Sequence, residues 1–345
     1  MNDGSSSSRA LIVGLQGPAL SADEAAFLRD ATPWGLIVFA RNVETPGRLK
    51  ALVADAREAL GWEAPVLIDQ EGGRVARLRT PYWLAWPTVG DTVATLGPNA
   101  AAEALTLRYR LIAHELRDLG IDVDCMPLLD VPVEGAHDVI GQRAFARDPA
   151  LVAMLGKAVS AALLSRGVLP VIKHLPGHGR AGVDSHHALP RVDADRRTLD
   201  ATDFAAFRAY GDEVLGMTAH IIYEALDPDR CATLSPPCIE LIRAELGFRG
   251  LLMTDDISMG ALDGPIARRG ADALAAGCDM VLHCNGDSAE MGALAEVTPI
   301  LTGEALARAR RAIAARAAAV AAMGAFDHDA ALRQYQALTK GMDAA

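Results

Sequence analysis

Val168-Leu169-Pro170-Val171-Ile172-Lys173 is a short apolar run that ends on a cation and passes at once into His174-Leu175-Pro176-Gly177-His178-Gly179. Its length and β-branched residues suit a strand, and Pro176-Gly177 bends the chain, so the polar residues collect where the strand ends. The same grammar recurs along the chain. Upstream lie residues 10–15, 35–39, 65–68 and 121–125, and downstream lie 214–218, 250–254 and 279–283. Each run is followed by an Ala-rich amphipathic stretch, or by a loop and then such a stretch, which is the pattern of βα units around a parallel sheet. Eight units predict an α/β fold, a single (β/α)8 TIM-type barrel. An open doubly wound sheet competes, but it carries a Gly-rich phosphate turn after its first strand, and Gly14-Leu15-Gln16-Gly17-Pro18 does not fit one.

Local signals agree. Ser21-Ala22-Asp23-Glu24 reads as a capping box, and Thr45-Pro46 as the cap and first residue of a second helix. From Thr302 the chain is Ala- and Arg-rich helix over 304–323 and 328–341, with no Pro/Gly/Ser linker before it. These are expected to be extra C-terminal packing helices, so residues 9–345 form one domain behind a disordered tail over 1–8.

Composition narrows the function. In 345 residues, 33 Lys and Arg stand against 44 Asp and Glu, a net charge of −11 that repels phosphate backbones and anionic lipid. Nucleic acid and membrane are therefore not expected partners. Five cysteines are an odd number without short paired spacing, which fits reduced thiols and a cytoplasmic location, and the N-terminus shows no export signal. A monomer acting on a small molecule is the expectation.

In such a barrel the chemistry sits where strands end and long loops begin, here 70–98, 126–148 and 174–197. Asp255 follows Leu251-Leu252-Met253-Thr254 and stands at a strand mouth, which suits a nucleophile; capping the next helix is the other role for Asp255 or Asp256, and position favours Asp256 for the cap. Asp184 and His186 are two residues apart, so the carboxylate can hold one ring nitrogen while the other handles a proton; an ordinary Asx turn explains the same spacing. His174, His178, His186 and His187 lack His-x-His or His-Glu-x-x-His spacing, so no metal or other cofactor is expected. His178 is expected to be a hydrogen-bonded strut of its loop. Lys173, Arg77 and Arg143 near strand ends predict a locally positive pocket for hydroxyl, carbonyl or carboxylate groups, with Asp69 and Asp130 available as ion-pair partners. Gly72-Gly73 either lets backbone approach a ligand or turns with positive φ.

From about residue 10 to 285 the chain resembles family 3 glycoside hydrolases, and within them the single-domain bacterial β-N-acetylglucosaminidases of cell-wall recycling. The most specific piece is Lys173 to Gly179, quoted above, followed by Asp184-Ser185-His186 and Leu189-Pro190. Asp69-Gln70-Glu71-Gly72-Gly73-Arg74-Val75, Arg143-Ala144-Phe145, Thr218-Ala219-His220-Ile221-Ile222-Tyr223 and Asp255-Asp256-Ile257-Ser258-Met259 resemble further family motifs. Leu175 stands where Phe is usual and Ile257 where Leu is common, and neither change removes a catalytic group. The resemblance implies a retaining exo-β-N-acetylglucosaminidase with Asp255 as nucleophile and His186, paired with Asp184, as acid/base. It assigns Asp69, Arg77, Arg143, Lys173 and His174 to the terminal N-acetylglucosamine, and it implies 1,6-anhydromuramoyl-peptide fragments of peptidoglycan as substrate. Larger family members take a carboxylate acid/base from a second domain, which this chain has no length for, so the loop dyad is its substitute. Three rival readings are a phosphorylase using the same site, a metal-dependent deacetylase or amidohydrolase using the histidines, and a non-catalytic sugar-binding barrel.

Overall fold

The computed structural model describes residues 4–183 and 188–341. Eight parallel strands close on themselves: β1 (Arg9–Gly14), β2 (Pro33–Val38), β3 (Val66–Ile68), β4 (Val123–Asp124), β5 (Leu169–Leu175), β6 (Leu215–Thr218), β7 (Leu251–Asp256) and β8 (Met280–His283). They follow one another in chain order around the barrel, and β8 closes on β1 through Leu11↔Val281 and Val13↔His283. The eight runs read from the sequence are these strands, and the fold is a (β/α)8 barrel.

Alternation along each strand sorts its side chains into two cores. Ile12, Leu169, Val171, Leu251, Met253, Met280 and Leu282 fill the barrel, while Leu11, Val13, Ile172, Leu252 and Val281 face the helices. Helix Ala22–Ala31 opens on the capping box: Ser21 Oγ accepts the Glu24 N–H (3.2 Å) and Glu24 accepts the Ser21 N–H (3.1 Å). Thr45 caps helix Pro46–Leu60, which buries Leu49, Leu52, Val53 and Ala56, a helical stripe.

Helix Gly303–Ala321 covers the N-terminal end of the barrel. Its Ala309 and Ala312 join the barrel-interior core, and its Arg308 and Arg316 donate to Asp279 (2.8 Å) and Asp122 (2.6 Å), which stand just before β8 and β4. With that end plugged, the free end is the C-terminal one, where the long loops gather. The tail expected to be disordered through residue 8 is ordered from Gly4. Ser5–Ser7 form a 3-10 turn, Ser8 Oγ donates to the Gly4 carbonyl (2.8 Å), Thr32 Oγ1 donates to the Ser7 carbonyl (2.9 Å), and Trp62 packs against Gly4. Serine hydroxyls there satisfy backbone groups that a free tail would leave to water. All five cysteines are buried and unpaired. Among the described residues no helix is long and apolar enough to cross a membrane.

Candidate active site

A cavity of about 230 Å³ opens at the C-terminal end of the barrel, lined among others by Phe39, Asp69, Arg77, Arg143, Lys173, His174, His178, Asp255 and Asp256. The strand period decides which aspartate points inward. Leu251 and Met253 face the barrel interior, so Asp255 is in phase with them. It accepts the Asp256 N–H on Oδ1 (2.8 Å) and has no cation as hydrogen-bond partner among the described residues. Burial pushes its carboxyl upward, but His174, His220, the Asp256 N–H and Lys173 outweigh this and hold it below the ordinary carboxylate range. At neutral pH it is an ionised carboxylate that lines the cavity.

Asp256 does not cap the next helix, which starts at Ile266 behind Pro265. Its Oδ1 accepts the Ser258 N–H (3.0 Å) and the Cys284 N–H (3.1 Å), tying the end of β7 to the end of β8. The buried His220 reaches the same peptide: its Nε2 donates to the Asp256 carbonyl (2.9 Å) while Nδ1 faces Thr233 Oγ1 (2.8 Å). A carbonyl can only accept, so Nε2 carries a proton. His220 and Thr233 thus brace the backbone that carries Asp255, a duty that no local spacing around His220 signals.

The three cations form one ion-pair cluster. Lys173 Nζ donates to Asp69 Oδ1 (2.9 Å) and Glu71 Oε1 (2.6 Å), Arg77 donates to Asp69 Oδ2 (2.9 Å), and Arg143 grips Glu71 with two bonds (2.8 and 2.9 Å). Against burial, Arg143 and Lys173 hold Glu71 down at about 2, and Lys173 and Arg77 hold Asp69 low. The expected positive pocket is therefore absent, because two carboxylates neutralise much of the charge; what remains is a rigid array of donors and acceptors suited to hydroxyl groups. Glu71 carries no role in the sequence reading. It comes from the Gln70–Gly72 strand of a hairpin whose turn residues Gly72 and Gly73 have φ of 105° and 55°. Those glycines serve the turn: a side chain at Gly72 would strike Arg108 and the Pro87 carbonyl.

Breaking this cluster has a predictable cost. Glu71→Ala takes the only carboxylate partner described for Arg143 and leaves Lys173 with Asp69 alone, and it is expected to destabilise the fold by about 3 kcal/mol. Glu71 is lower in the folded chain than its ordinary 4.5, so its stabilisation is full above pH 4.5 and is lost as pH falls toward about 2. Denaturant unfolding curves of wild type and variant should stand apart at pH 7 and draw together as pH falls from 4.5 toward 2; a spacing that does not change over that range would contradict the assignment.

Asp130 pairs with neither Lys173 nor an arginine. It accepts the Nδ1–H of His174 (2.7 Å) on one oxygen and the His178 N–H (2.6 Å) on the other. Burial opposes ionisation of Asp130, but His174 and His178 outweigh it. With Nδ1 committed, His174 turns Nε2 toward the cavity. The Lys173–His174 peptide is cis, and both side chains line the cavity.

Asp69, Arg77, Arg143, Lys173, His174 and Asp255 are thus brought together around one cavity. Asp184 and His186 lie outside the described residues. The chain entering that segment is tied at Ala181, whose carbonyl accepts the His137 N–H (2.8 Å), and the chain leaving it pairs Arg191–Val192 with Ile222–Tyr223, just beyond β6. Both anchors belong to loops at the C-terminal end. Among the described residues no three His, Cys, Asp or Glu side chains converge as metal ligands.

Residues 10–320 match the family model described as glycosyl hydrolase family 3 N terminal domain. A β-hexosaminidase of Alkalilimnicola ehrlichii is 41% identical over 285 residues, 80% of either chain, and one of Bordetella avium is 38% identical over the same shares. Among solved structures, NagZ from Neisseria gonorrhoeae in complex with N-trifluoroacetyl-D-glucosamine superposes with a TM-score of 0.84 at 29% identity, covering 96% of this chain and 98% of that one. A family 3 β-N-acetylglucosaminidase from Paenibacillus sp. gives 0.81 at 28% identity, covering 98% of this chain and 68% of that one.

Proposed function

The chain belongs to glycosyl hydrolase family 3 and is a glycosidase of the β-hexosaminidase class, and on that premise we propose that it removes non-reducing terminal β-linked N-acetylglucosamine from 1,6-anhydromuramoyl-peptide fragments of peptidoglycan, with retention, in the cytoplasm. The observation that carries the reading is Asp255, held ionised at the cavity floor beside the array of Lys173, Asp69, Arg77 and Arg143.

In the first step an Asp255 oxygen attacks the anomeric carbon while His186, protonated, gives its proton to the departing aglycone oxygen. A glycosyl ester on Asp255 results. In the second step the neutral His186 takes a proton from water, whose oxygen attacks the same carbon and frees the Asp255 carboxylate. Asp184 steadies the imidazole and its positive charge between steps. Asp69, Arg77, Arg143, Lys173 and His174 hold the pyranose hydroxyls, and prior pairing of the charged groups lowers the ordering cost when the sugar binds.

Lys173, Arg77 and Arg143 are already paired with Asp69 and Glu71, which favours water over phosphate as the acceptor. The test is a ¹H NMR time course on N-acetylglucosaminyl-1,6-anhydromuramoyl peptide with and without phosphate. Free N-acetylglucosamine is expected first as its β-anomer, unaffected by phosphate. The α-anomer first, a sugar 1-phosphate, or activity abolished by a chelator would each remove the reading.

A further inference from the structure

Behind the hairpin that carries Glu71, two neighbours on helix Pro98–Asp118 reach a single atom. Tyr109 donates its hydroxyl to the Glu71 carbonyl (2.9 Å), and Arg108 donates Nη2 to the same oxygen. Adjacent helical side chains diverge by about 100°, so their meeting on one oxygen depends on the length of the arginine and on the way left open for it. Gly72 leaves that way open, since a side chain there would strike the guanidinium. The Trp86 and Tyr109 rings flank it, with centroids 5.7 and 5.2 Å away. Both residues are fully buried, and burial raises the Tyr109 phenol, so it stays protonated and a donor.

One donor satisfies a buried carbonyl. The second brings a guanidinium out of water, which costs more than the turn requires. What the pair adds is direction: with both lone pairs of the oxygen taken, the Glu71 peptide cannot swing, and its carboxylate leaves the other side of the chain toward Lys173 and Arg143. The adjoining peptide is held likewise, Asp124 Oδ1 accepting the Gln70 N–H (3.1 Å). We propose that Tyr109 and Arg108 are positioning residues for the terminal sugar, acting through Glu71 on Lys173 and Arg143. The chain of contact runs from helix to carbonyl, from carboxylate to cations, and from cations to the pyranose hydroxyls.

The inference rests on the glycosidase reading, so the test uses equilibrium binding, which reports whether or not hydrolysis occurs. N-acetylglucosamine is titrated calorimetrically into the full chain, Tyr109→Phe, Glu71→Gln and the double variant. Tyr109→Phe should weaken binding about 3- to 10-fold, the worth of one hydrogen bond. In the Glu71→Gln background the same change should cost nothing further, because the two act as one unit. Arg108→Met should behave like Tyr109→Phe, and Arg108→Lys, which keeps a donor, should recover much of the loss. If Glu71→Gln does not fold, Arg143→Lys breaks the grip on Glu71 from its other end, and the two losses should again fall short of adding. Lower stability with unchanged affinity, or losses that add in full, in a chain that still releases a chromogenic aglycone, would overturn the proposal alone. The expected cycle without release of the aglycone would defeat the hydrolase reading and leave the brace in place, and a wild type that binds no sugar would defeat both.

Discussion

Asp255→Asn is expected to lower kcat by on the order of 10⁴-fold or more while the chain stays folded. The amide keeps an oxygen that can accept the Asp256 N–H, now at 2.8 Å, so the turn after β7 survives. It carries no charge with which to attack the anomeric carbon. Because its neighbours outweigh the cost of burying it, the Asp255 charge adds to stability at neutral pH, so the variant should unfold at a somewhat lower denaturant midpoint while remaining folded under assay conditions. The low carboxyl of Asp255 has a further consequence. The Asp255 carboxylate remains ionised below the pH at which an ordinary aspartate protonates, so the acidic limb of kcat/KM should not lie above about pH 4 on account of this group. Incubating wild type with a 2-fluoro sugar bearing a good leaving group should trap an ester, which peptide mass mapping assigns to Asp255. A label on any other residue, or wild-type turnover by the asparagine variant, would end the assignment.

His186→Ala is expected to lower kcat by about 10²- to 10⁴-fold on substrates whose leaving group needs a proton. With a dinitrophenyl aglycone, which departs unprotonated, formation of the glycosyl ester should be nearly spared. Its hydrolysis should remain slow, because water still needs a base. Burst kinetics separate the two steps. Asp184→Ala should slow both, since it removes the carboxylate that steadies the imidazole through each proton transfer. A loss of equal size for every leaving group would show that His186 shapes the site without moving the proton.

Much of this was legible before any fold was known. The eight strands, the capping box at Ser21 and the cavity position of Lys173 and Asp255 each depend on short stretches, because a strand of period two declares its own inner face. The partners of those groups did not show. Glu71, which pairs with both Lys173 and Arg143, sits on a hairpin, and its partners come from β5 and from the loop before it, more than seventy residues on. Asp130 offered itself equally to a cation or a histidine, and only the approach of β5 chose His174. His220 braces Asp256 from the segment that follows β6, through a carbonyl, a group that every residue owns and no motif can mark.

The amino-acid sequence by itself determined the barrel, the end of it that carries chemistry and the aspartate that faces inward, since strand period, turn residues and caps act within a few residues of each other. Closure of the sheet decided the rest: which carboxylate neutralises which cation, and that Asp256 ties β7 to β8 instead of capping a helix. Ion pairs and hydrogen bonds of this kind depend on distances between residues far apart in the chain, and those distances exist only once the eighth strand has met the first.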